Sequence, residues 1–344
     1  MKFTRTEAEI TRSWKTGQDG SAPLVSVRLA VYNHEKYLEE CMESILMQET
    51  DFPFEILIHD DASTDRSAEI IRAYEAAYPH VIRTIYQPEN TYSKHDGSGA
   101  RQMNSTLRGK YSACLEGDDC WTDPRKLQRQ TDLMERYPEL SFCVHRTEIM
   151  MEDGSLTGQF LPSEEFPEGR ITLQQFLDKA VSSNLFHTSS FFLRTEDLVR
   201  FAFDPPAFSQ GVNFGDLPLI LNEYTHGEVY FLPETMSHYR FMAQGSWSNR
   251  TYQNPETAMN HLKQRTRVME QFDACTDHRY DCHLDQYRGP CLFYAGDLRA
   301  LWKKEYAAYV ASLPLTKRLY IRVGGLLPFV KPWVQKHLMY GRSA

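Results

Sequence analysis

No stretch of this chain comes near eighteen consecutive apolar residues, so no membrane-spanning helix is expected. The opening Met1-Lys2-Phe3-Thr4-Arg5-Thr6-Glu7 lacks the apolar centre of a secretory signal. Cys-x-x-Cys is absent, and the seven cysteines (41, 114, 120, 143, 275, 282 and 291) are odd in number. Reduced thiols in a cytoplasmic protein fit that pattern better than a disulfide framework. Positive charge is in short supply, and a net charge of -8 argues against a nucleic-acid partner. Internal repeats and low-complexity tracts are also missing, which excludes solenoids and arrays.

What is present is a globular composition, with 41% hydrophobic and 24% charged residues over 344 positions. That length suits one large domain or two ordinary ones. Residues 1–22 are polar and end in Gly17-Gln18-Asp19-Gly20-Ser21, a leader with weak structural signal. A rhythm of strand and helix then begins. Apolar runs at Leu24–Val31, Phe54–His59, Val81–Tyr86 and Tyr111–Leu115 read as buried strands. Residues 34–48, 66–78 and 98–107 read as helices between them, and 124–137 follows with Pro124 at its start. This alternation predicts an α/β fold with a mainly parallel sheet flanked by helices. Leu140–Met151, Asn184–Leu193 and Glu228–Arg240 read as further strands, with a turn at 152–155 and a short helix at Gly215–Tyr224. From Pro255 the pattern is helical, through Met259–Phe272 and Tyr287–Tyr309.

In sheets of this kind ligands bind beyond the C-terminal ends of the strands. The densest polar cluster there is Glu116-Gly117-Asp118-Asp119, three carboxylates in four residues directly after a buried strand. Adjacent acids repel one another and are costly to desolvate. A hard divalent cation, Mg²⁺ or Mn²⁺, removes that penalty and points to a phosphate-bearing substrate. After the second strand stands Asp60-Asp61-Ala62-Ser63-Thr64-Asp65. Asp65 reads as a helix cap, whereas the Asp60–Asp61 pair suits a base N–H or a ribose hydroxyl. After the first strand, Tyr32 and Asn33 suit stacking on and hydrogen bonding to a nucleobase, although a helix cap at Asn33 is the better reading in isolation. Asp123 and Pro124 read as the cap and first turn of the next helix.

Taken in order, Val25-Ser26-Val27…Tyr32-Asn33, Ile58-His59-Asp60-Asp61-Ala62-Ser63-Thr64-Asp65, Arg108-Gly109-Lys110-Tyr111 and Glu116-Gly117-Asp118-Asp119-x-Trp121 resemble glycosyltransferase family 2. The resemblance implies a GT-A fold, a Rossmann-like nucleotide-diphospho-sugar transferase architecture, over residues 23–250. A helical extension over 251–313 and a basic amphipathic tail over 314–344 would follow. It implies that Tyr32 lies near the base of a nucleotide-sugar donor and that Asp61 hydrogen-bonds the base. Glu116 would face the ribose, Asp118 would hold the cation that bridges the diphosphate, and Asp119 would support the site. Asn213-Phe214-Gly215-Asp216-Leu217-Pro218-Leu219 resembles the region of the catalytic base, with Asp216 as the match. Read bare, Asp216 is an acid that the helix dipole favours, and Glu234, in what reads as a loop after a strand, is its competitor.

The sequence departs from the family pattern in three places. Glu116 stands for the commoner Asp, Gly215 for the frequent Glu before the base, and Met242 where a His often follows the Tyr-Arg pair. Any role of that His is lost or moved to His238. The Gln-x-x-Arg-Trp signature of processive members is absent. The implied reaction is therefore metal-dependent, inverting transfer of one sugar at a time. The donor would be a nucleotide sugar, with UDP by family habit, and the acceptor a saccharide or lipid-linked saccharide. A sugar nucleotidyltransferase is the rival enzyme, but its Gly-x-Gly-x-Arg loop is missing after the first strand. A non-catalytic nucleotide-sugar-binding or scaffold protein is the rival outside enzymes.

Two weaker features remain. Cys275, His278, Cys282, His283 and Cys291 lie close in sequence, but their spacing lacks a paired motif, so buried thiols and surface histidines are preferred to a zinc site. Pro314 to Ala344 carries Lys317, Arg318, Arg322, Lys331, Lys336 and Arg342 with no acid, leaving -14 on the rest of the chain. Interleaved with Leu319, Phe329 and Trp333, these cations suit either an anionic membrane surface at the inner face of the cell membrane or a packed helix with a solvated basic face.

Overall fold

The computed structural model describes residues 3–15, 22–163, 166–180 and 185–326. A short helix, α1 (Glu7–Thr11), opens the chain and is closed by a capping box between Thr6 and Glu9. Of the segment read from sequence as a leader, residues 3–15 are described, and they dock on the main unit. Ile10 enters the main core, Tyr78 donates its hydroxyl to the Arg5 carbonyl, and Arg5 reaches the carbonyls of Met47 and Gln48.

Val25–Val31 (β1) and Phe54–Asp60 (β2) are buried almost throughout, as their near-continuous apolar runs require. They flank α2 (Leu38–Leu46), which buries Leu38, Cys41, Met42 and Ile45 on one face. After α3 (Ser67–Ala77) comes β3 (Ile82–Tyr86), and after α4 (Ser98–Thr106) comes β4 (Tyr111–Glu116). These strands lie in the order β3-β2-β1-β4, all parallel. The register aligns Val31 with Asp60 and Ala30 with Glu116, so three strands end at one level. Beyond that level Asp61 donates its N–H to the Val31 carbonyl and Gly117 to the Ala30 carbonyl. Segments far apart in sequence thus leave the sheet side by side.

Past β4 the sheet becomes mixed. The remaining elements are β5 (Cys120–Trp121), α5 (Lys126–Arg136), β6 (Leu140–Met150), β7 (Leu156–Leu161), β8 (Gly169–Ile171), α6 (Leu173–Ala180), β9 (Phe192–Arg194), α7 (Thr195–Phe203), α8 (Asp216–His226), β10 (Glu228–Arg240) and α9 (Trp247–Tyr252). The order continues β4-β9-β6-β10-β5, with β9 antiparallel to both neighbours and β10 parallel to β6. The expectation of a mainly parallel sheet holds for the first half only: in the second, β5, β7, β8 and β9 pair antiparallel with their neighbours, while β10 runs parallel to β6. The strand expected over 184–193 is shortened to β9. Its first described residues form a turn at 188–190, where Ser190 bonds the His187 carbonyl and Ser189 N–H bonds the His187 ring. Local side-chain bonds of this kind compete with a strand ladder.

Residues through 176 and again through 250 form one compact unit; 177–180 and those from 251 form a second. In the second, α10 (Pro255–Cys275) and α11 (Leu284–Ala295) are followed by α12 (Ala307–Ser312) and α13 (Leu315–Leu326). The long helix expected over 287–309 stops at Gly296, whose φ of +74° is a left-handed C-cap. Tyr306, Tyr309, Tyr320 and Ile321 pack with Phe293, Leu298 and Leu301 in a core of this unit. Among the described residues no helix is long and apolar enough to cross a membrane.

The Arg108-Gly109 pair acts at the sheet end opposite the acidic cluster. Glu55 of β2 is buried and accepts from Ser26 Oγ at 2.7 Å, Arg108 Nε at 2.7 Å and Arg83 Nη1 at 2.9 Å. Gly109 sits against the Ser26 backbone, where an added Cβ would come within 2.5 Å of the Ser26 nitrogen. Burial pushes the Glu55 carboxyl up, but the bonds from Ser26, Arg108 and Arg83 outweigh it and the net shift is downward. A lowered carboxyl adds stability above its unfolded pKa, and that stability is lost as pH falls through the folded one. Glu55→Gln is therefore expected to cost about 2 kcal/mol at pH 7. The gap from the parent should close as denaturant melts are repeated toward pH 3; a gap that stays constant contradicts the ion-pair account.

Candidate active site

The acidic cluster turns a corner between β4 and β5. Gly117 permits the turn, since a Cβ there would lie 2.7 Å from His34 Nδ1 and 3.2 Å from Val31 Cγ2. Asp119 donates its N–H to the Glu116 carbonyl, closing the loop. Asp118 and Asp119 are buried, and His34 Nε2 lies 3.9 Å from Asp118 Oδ2. Glu116 is reached by solvent, yet protein packs around it on most sides. That crowding, and next the charge of Asp118, hold its carboxyl above the usual range, while Arg28 opposes and Asp216 adds to the rise. Asp119 is pushed up by burial and then by Asp118 and Glu116, with Arg240 N–H opposing. The cluster carries more negative charge than its surroundings balance.

Arg240, at the end of β10, holds this corner in place. Its backbone N–H donates to Asp119 Oδ1 at 2.9 Å and its Nε to the Asp118 carbonyl at 3.0 Å. Nη1 reaches the Glu152 carbonyl at 3.1 Å, Nη2 reaches Glu40 at 2.6 Å, and the guanidinium lies over the Tyr37 ring. Sequence reading placed Arg240 only in a segment that follows the base. Nothing in its neighbours reveals that it spans more than a hundred positions to reach the acids.

The other expected residues divide between loop clamps and cleft walls. Asp60 accepts from Ser63 N–H, while Asp61 accepts from Thr91 N–H, Thr91 Oγ1 and Tyr92 N–H with its two oxygens. Asp61 Oδ1 is filled by the two bonds from Thr91, whereas Oδ2 accepts from Tyr92 alone and retains a second lone pair. Asn33 adopts φ +58° and its Oδ1 accepts from Thr64 N–H, tying the exits of β1 and β2 together; it does not cap α2. Asp65 caps α3 through Ser67 N–H, as expected, and also accepts from Glu35 N–H. Asp123 accepts from Arg125 N–H at the start of α5.

Tyr32, Asn33, Lys36, Asp65, Gln244 and Arg250 line a cleft of about 450 Å³ beside the acids. Arg250 lies 6.0 Å from the centre of the Tyr92 ring, and its charge acts on Glu116. Asp216 is the first residue of α8, where its Oδ1 accepts from Leu217 N–H. Tyr92 donates its hydroxyl to the Asn213 carbonyl, which ties the chain just before α8 to the loop that Asp61 holds. Glu234 lies within β10, not in a loop, and pairs with Arg129. His238 Nε2 stands 3.9 Å from Glu148, and Met242 N–H is capped by Ser248 Oγ.

The sequence predicts Asp118 as the ligand of a cation. Among the described residues no group of His, Cys, Asp and Glu side chains forms a cage for one. An uncompensated carboxylate cluster without a cage fits a hard ion that takes most of its oxygens from a bound phosphate and water. In the second unit, His278 pairs with Asp273 and His283 with Asp178, while Cys275 is exposed and Cys282 buried.

This sheet with its flanking helices has counterparts. The glycosyl transferase family 2 profile matches residues 26–198, half of the chain. The chain belongs to glycosyl transferase family 2. An uncharacterized protein of Mycobacterium bovis is 35% identical over 216 residues, which is 63% of this chain and 58% of its own length. The putative glycosyltransferase EpsE of Bacillus subtilis is 33% identical over 147 residues, 43% of this chain and 51% of its own. This family 2 chain thus spans between half and three-fifths of the length of these curated relatives. TarS of S. aureus in complex with UDP superposes with a TM-score of 0.53 at 16% identity, covering 86% of this chain and 76% of that one. The mannosyltransferase PcManGT of Pyrobaculum calidifontis, in complex with GDP-Man and Mn2+, gives 0.53 at 15% identity over 95% and 88%. These likenesses are of fold, and the GT-A architecture expected from the sequence is the one found.

Arg240→Lys keeps the charge but not the fork of donors. It is expected to lower the free energy of unfolding by about 2 kcal/mol in urea melts. An unchanged midpoint would show that the corner stands without it.

Proposed function

We propose that the chain is a metal-dependent, inverting, non-processive glycosyltransferase. It moves a hexosyl or N-acetylhexosaminyl unit from a nucleotide sugar, a UDP-sugar by preference, to a hydroxyl of a saccharide or lipid-linked saccharide in cell-surface polysaccharide synthesis. The observation that carries this reading is that Asp216, about a hundred residues downstream, acts on Glu116 through its charge, as does Arg250, which walls a cleft together with Tyr32. The UDP bound to TarS, and the GDP-Man and Mn2+ bound to PcManGT, support the donor class.

Tyr32 stacks on the base and Asp61 accepts from it, while Asp60 and Asn33 keep the two loops in register. Glu116 accepts from the ribose. A divalent cation, Mn²⁺ or Mg²⁺, held by Asp118 supplies charge neutralisation for the departing diphosphate. Asp119, fixed by Arg240, supports that carboxylate. Asp216 takes the proton of the attacking hydroxyl from the side opposite the nucleotide, so the anomeric centre inverts. General-base help of this kind contributes roughly 10²–10⁴-fold.

Thermal shifts with UDP-sugars, with Mn²⁺ and with EDTA, test the assignment, because only a bound ligand raises stability. Asp118→Asn should abolish the Mn²⁺-dependent shift. Asp216→Asn should keep the shift and lose roughly 10²-fold or more in turnover. Full turnover by Asp216→Asn rejects it as the base.

A specific observation also favours a peripheral seat at the inner face of the membrane. Along α13, Leu315, Leu319, Val323 and Leu326 form an exposed row, while Tyr320, Ile321, Gly324 and Gly325 face inward. Arg318 and Arg322 flank that row on one side, whereas Lys317 lies over the Phe293 ring. Cations beside exposed leucines suit an anionic lipid surface. Residues 327–344 of the basic tail lie outside the described residues. Leu315→Ser with Leu319→Ser and Leu326→Ser should lower co-flotation with phosphatidylglycerol vesicles several-fold without changing the melting temperature; undiminished flotation removes the row from consideration.

A further inference from the structure

His187 has no part in the reading above, yet it is built into the wall of the acidic corner. Its ring stacks on Tyr239 with centroids 3.9 Å apart and planes 23° from parallel. Its Nδ1 lies 3.7 Å from Asp119 Oδ2. Tyr239 in turn feels the charges of Asp119, Glu116 and Asp118, which places the stack beside all three acids. The ring is held from behind. Ser189 donates its backbone N–H to Nδ1 at 3.3 Å, and Ser189 Oγ lies 2.9 Å from the same atom. A buried line of hydroxyls continues from Ser189 Oγ to Ser237 Oγ at 2.8 Å and on to Thr147 Oγ1 at 3.0 Å.

The backbone bond decides the tautomer. A nitrogen that accepts an N–H carries no proton of its own, so the ring proton sits on Nε2. Burial holds the imidazole neutral, with its pKa down to about 3. Among the described residues no hydrogen bond is made by Nε2, and that atom is not sealed from solvent. A neutral N–H is therefore left on Nε2 with no partner among the described residues, on a ring whose other nitrogen lies against Asp119. It can donate a hydrogen bond but has no reason to move a proton.

We infer that His187 is a specificity residue that donates its Nε2–H to an oxygen of the sugar being transferred. This rests on the glycosyltransferase reading of the cleft. The choice of the donor's sugar follows from position: His187 stands beside Asp119, next in chain to the carboxylate assigned to the diphosphate, and the group joined to that diphosphate is the sugar. Tyr239 supplies the apolar face against which the imidazole is aligned.

Calorimetric titration of the full chain with UDP, UDP-glucose, UDP-N-acetylglucosamine and GDP-mannose in Mn²⁺ tests the inference. His187→Asn keeps an acceptor for Ser189 N–H, so the cap survives, but it cannot reach as far as Nε2. His187→Gln carries an amide N–H close to the position of Nε2. His187→Asn should leave UDP affinity unchanged and lower affinity for the preferred nucleotide sugar about tenfold, the worth of one good hydrogen bond. His187→Gln should stay within about threefold of the parent. Equal nucleotide-sugar affinity in His187→Asn and parent overturns the inference, as does an equal loss for UDP itself, which would mark His187 as purely structural. If the parent binds none of the four ligands, the transferase reading falls with it; if it binds them and the variants do not discriminate, only the inference about His187 falls.

Discussion

Crowded negative charge at the end of β4 is the constraint around which the rest of this protein is arranged. Glu116, Asp118 and Asp119 stand in one tight corner, and two of them are pushed above the ordinary carboxylate range by the protein around them and by each other. Such a corner would spring apart without a brace. Arg240 is that brace: one guanidinium and one backbone N–H hold the Asp118 carbonyl, Asp119, and the carbonyl of Glu152 together. The remaining charge is left for a ligand to neutralise, which is what a site for a cation and a phosphate requires.

The opposite end of the sheet solves the same problem internally. Glu55 is as buried as Asp118 and Asp119, but Arg108, Arg83 and Ser26 satisfy it with short bonds and its carboxyl is shifted down. One end is compensated and structural, the other uncompensated and open. The parallel register of β1, β2 and β4 keeps the two apart, with the C-terminal ends of the strands at the open end.

Much of this was legible in the sequence. The first four strands were placed to within a residue or two, because strands buried on both faces leave short apolar runs that little else imitates. Asp65 was legible as a cap, because its partner lies two residues away. The later strands were less so: 184–193 resolves into a turn and a three-residue strand, since serine side chains there bond to nearby backbone. Lys126 shows the limit plainly. It lies within the helix expected over 124–137 and is fully buried, 4.2 Å from the Trp121 ring centre, bonded to Gln130, with burial pushing its pKa down to about 7.

The sequence by itself determined which residues end the strands, and therefore that acids, an aromatic and an amide would share one edge of a parallel sheet. It did so because strand ends and caps are local, set by patterns a few residues long. Only the tertiary structure decided which acids are clamps and which are free for chemistry. Asp61 and Asp60 turned out to hold loops, Arg240 to hold the corner, and His187 to lie against Asp119. The bonds of Asp61 and Arg240 reach partners 30 to 122 positions away, brought within reach by strand register and packing, and no short pattern in the chain records them.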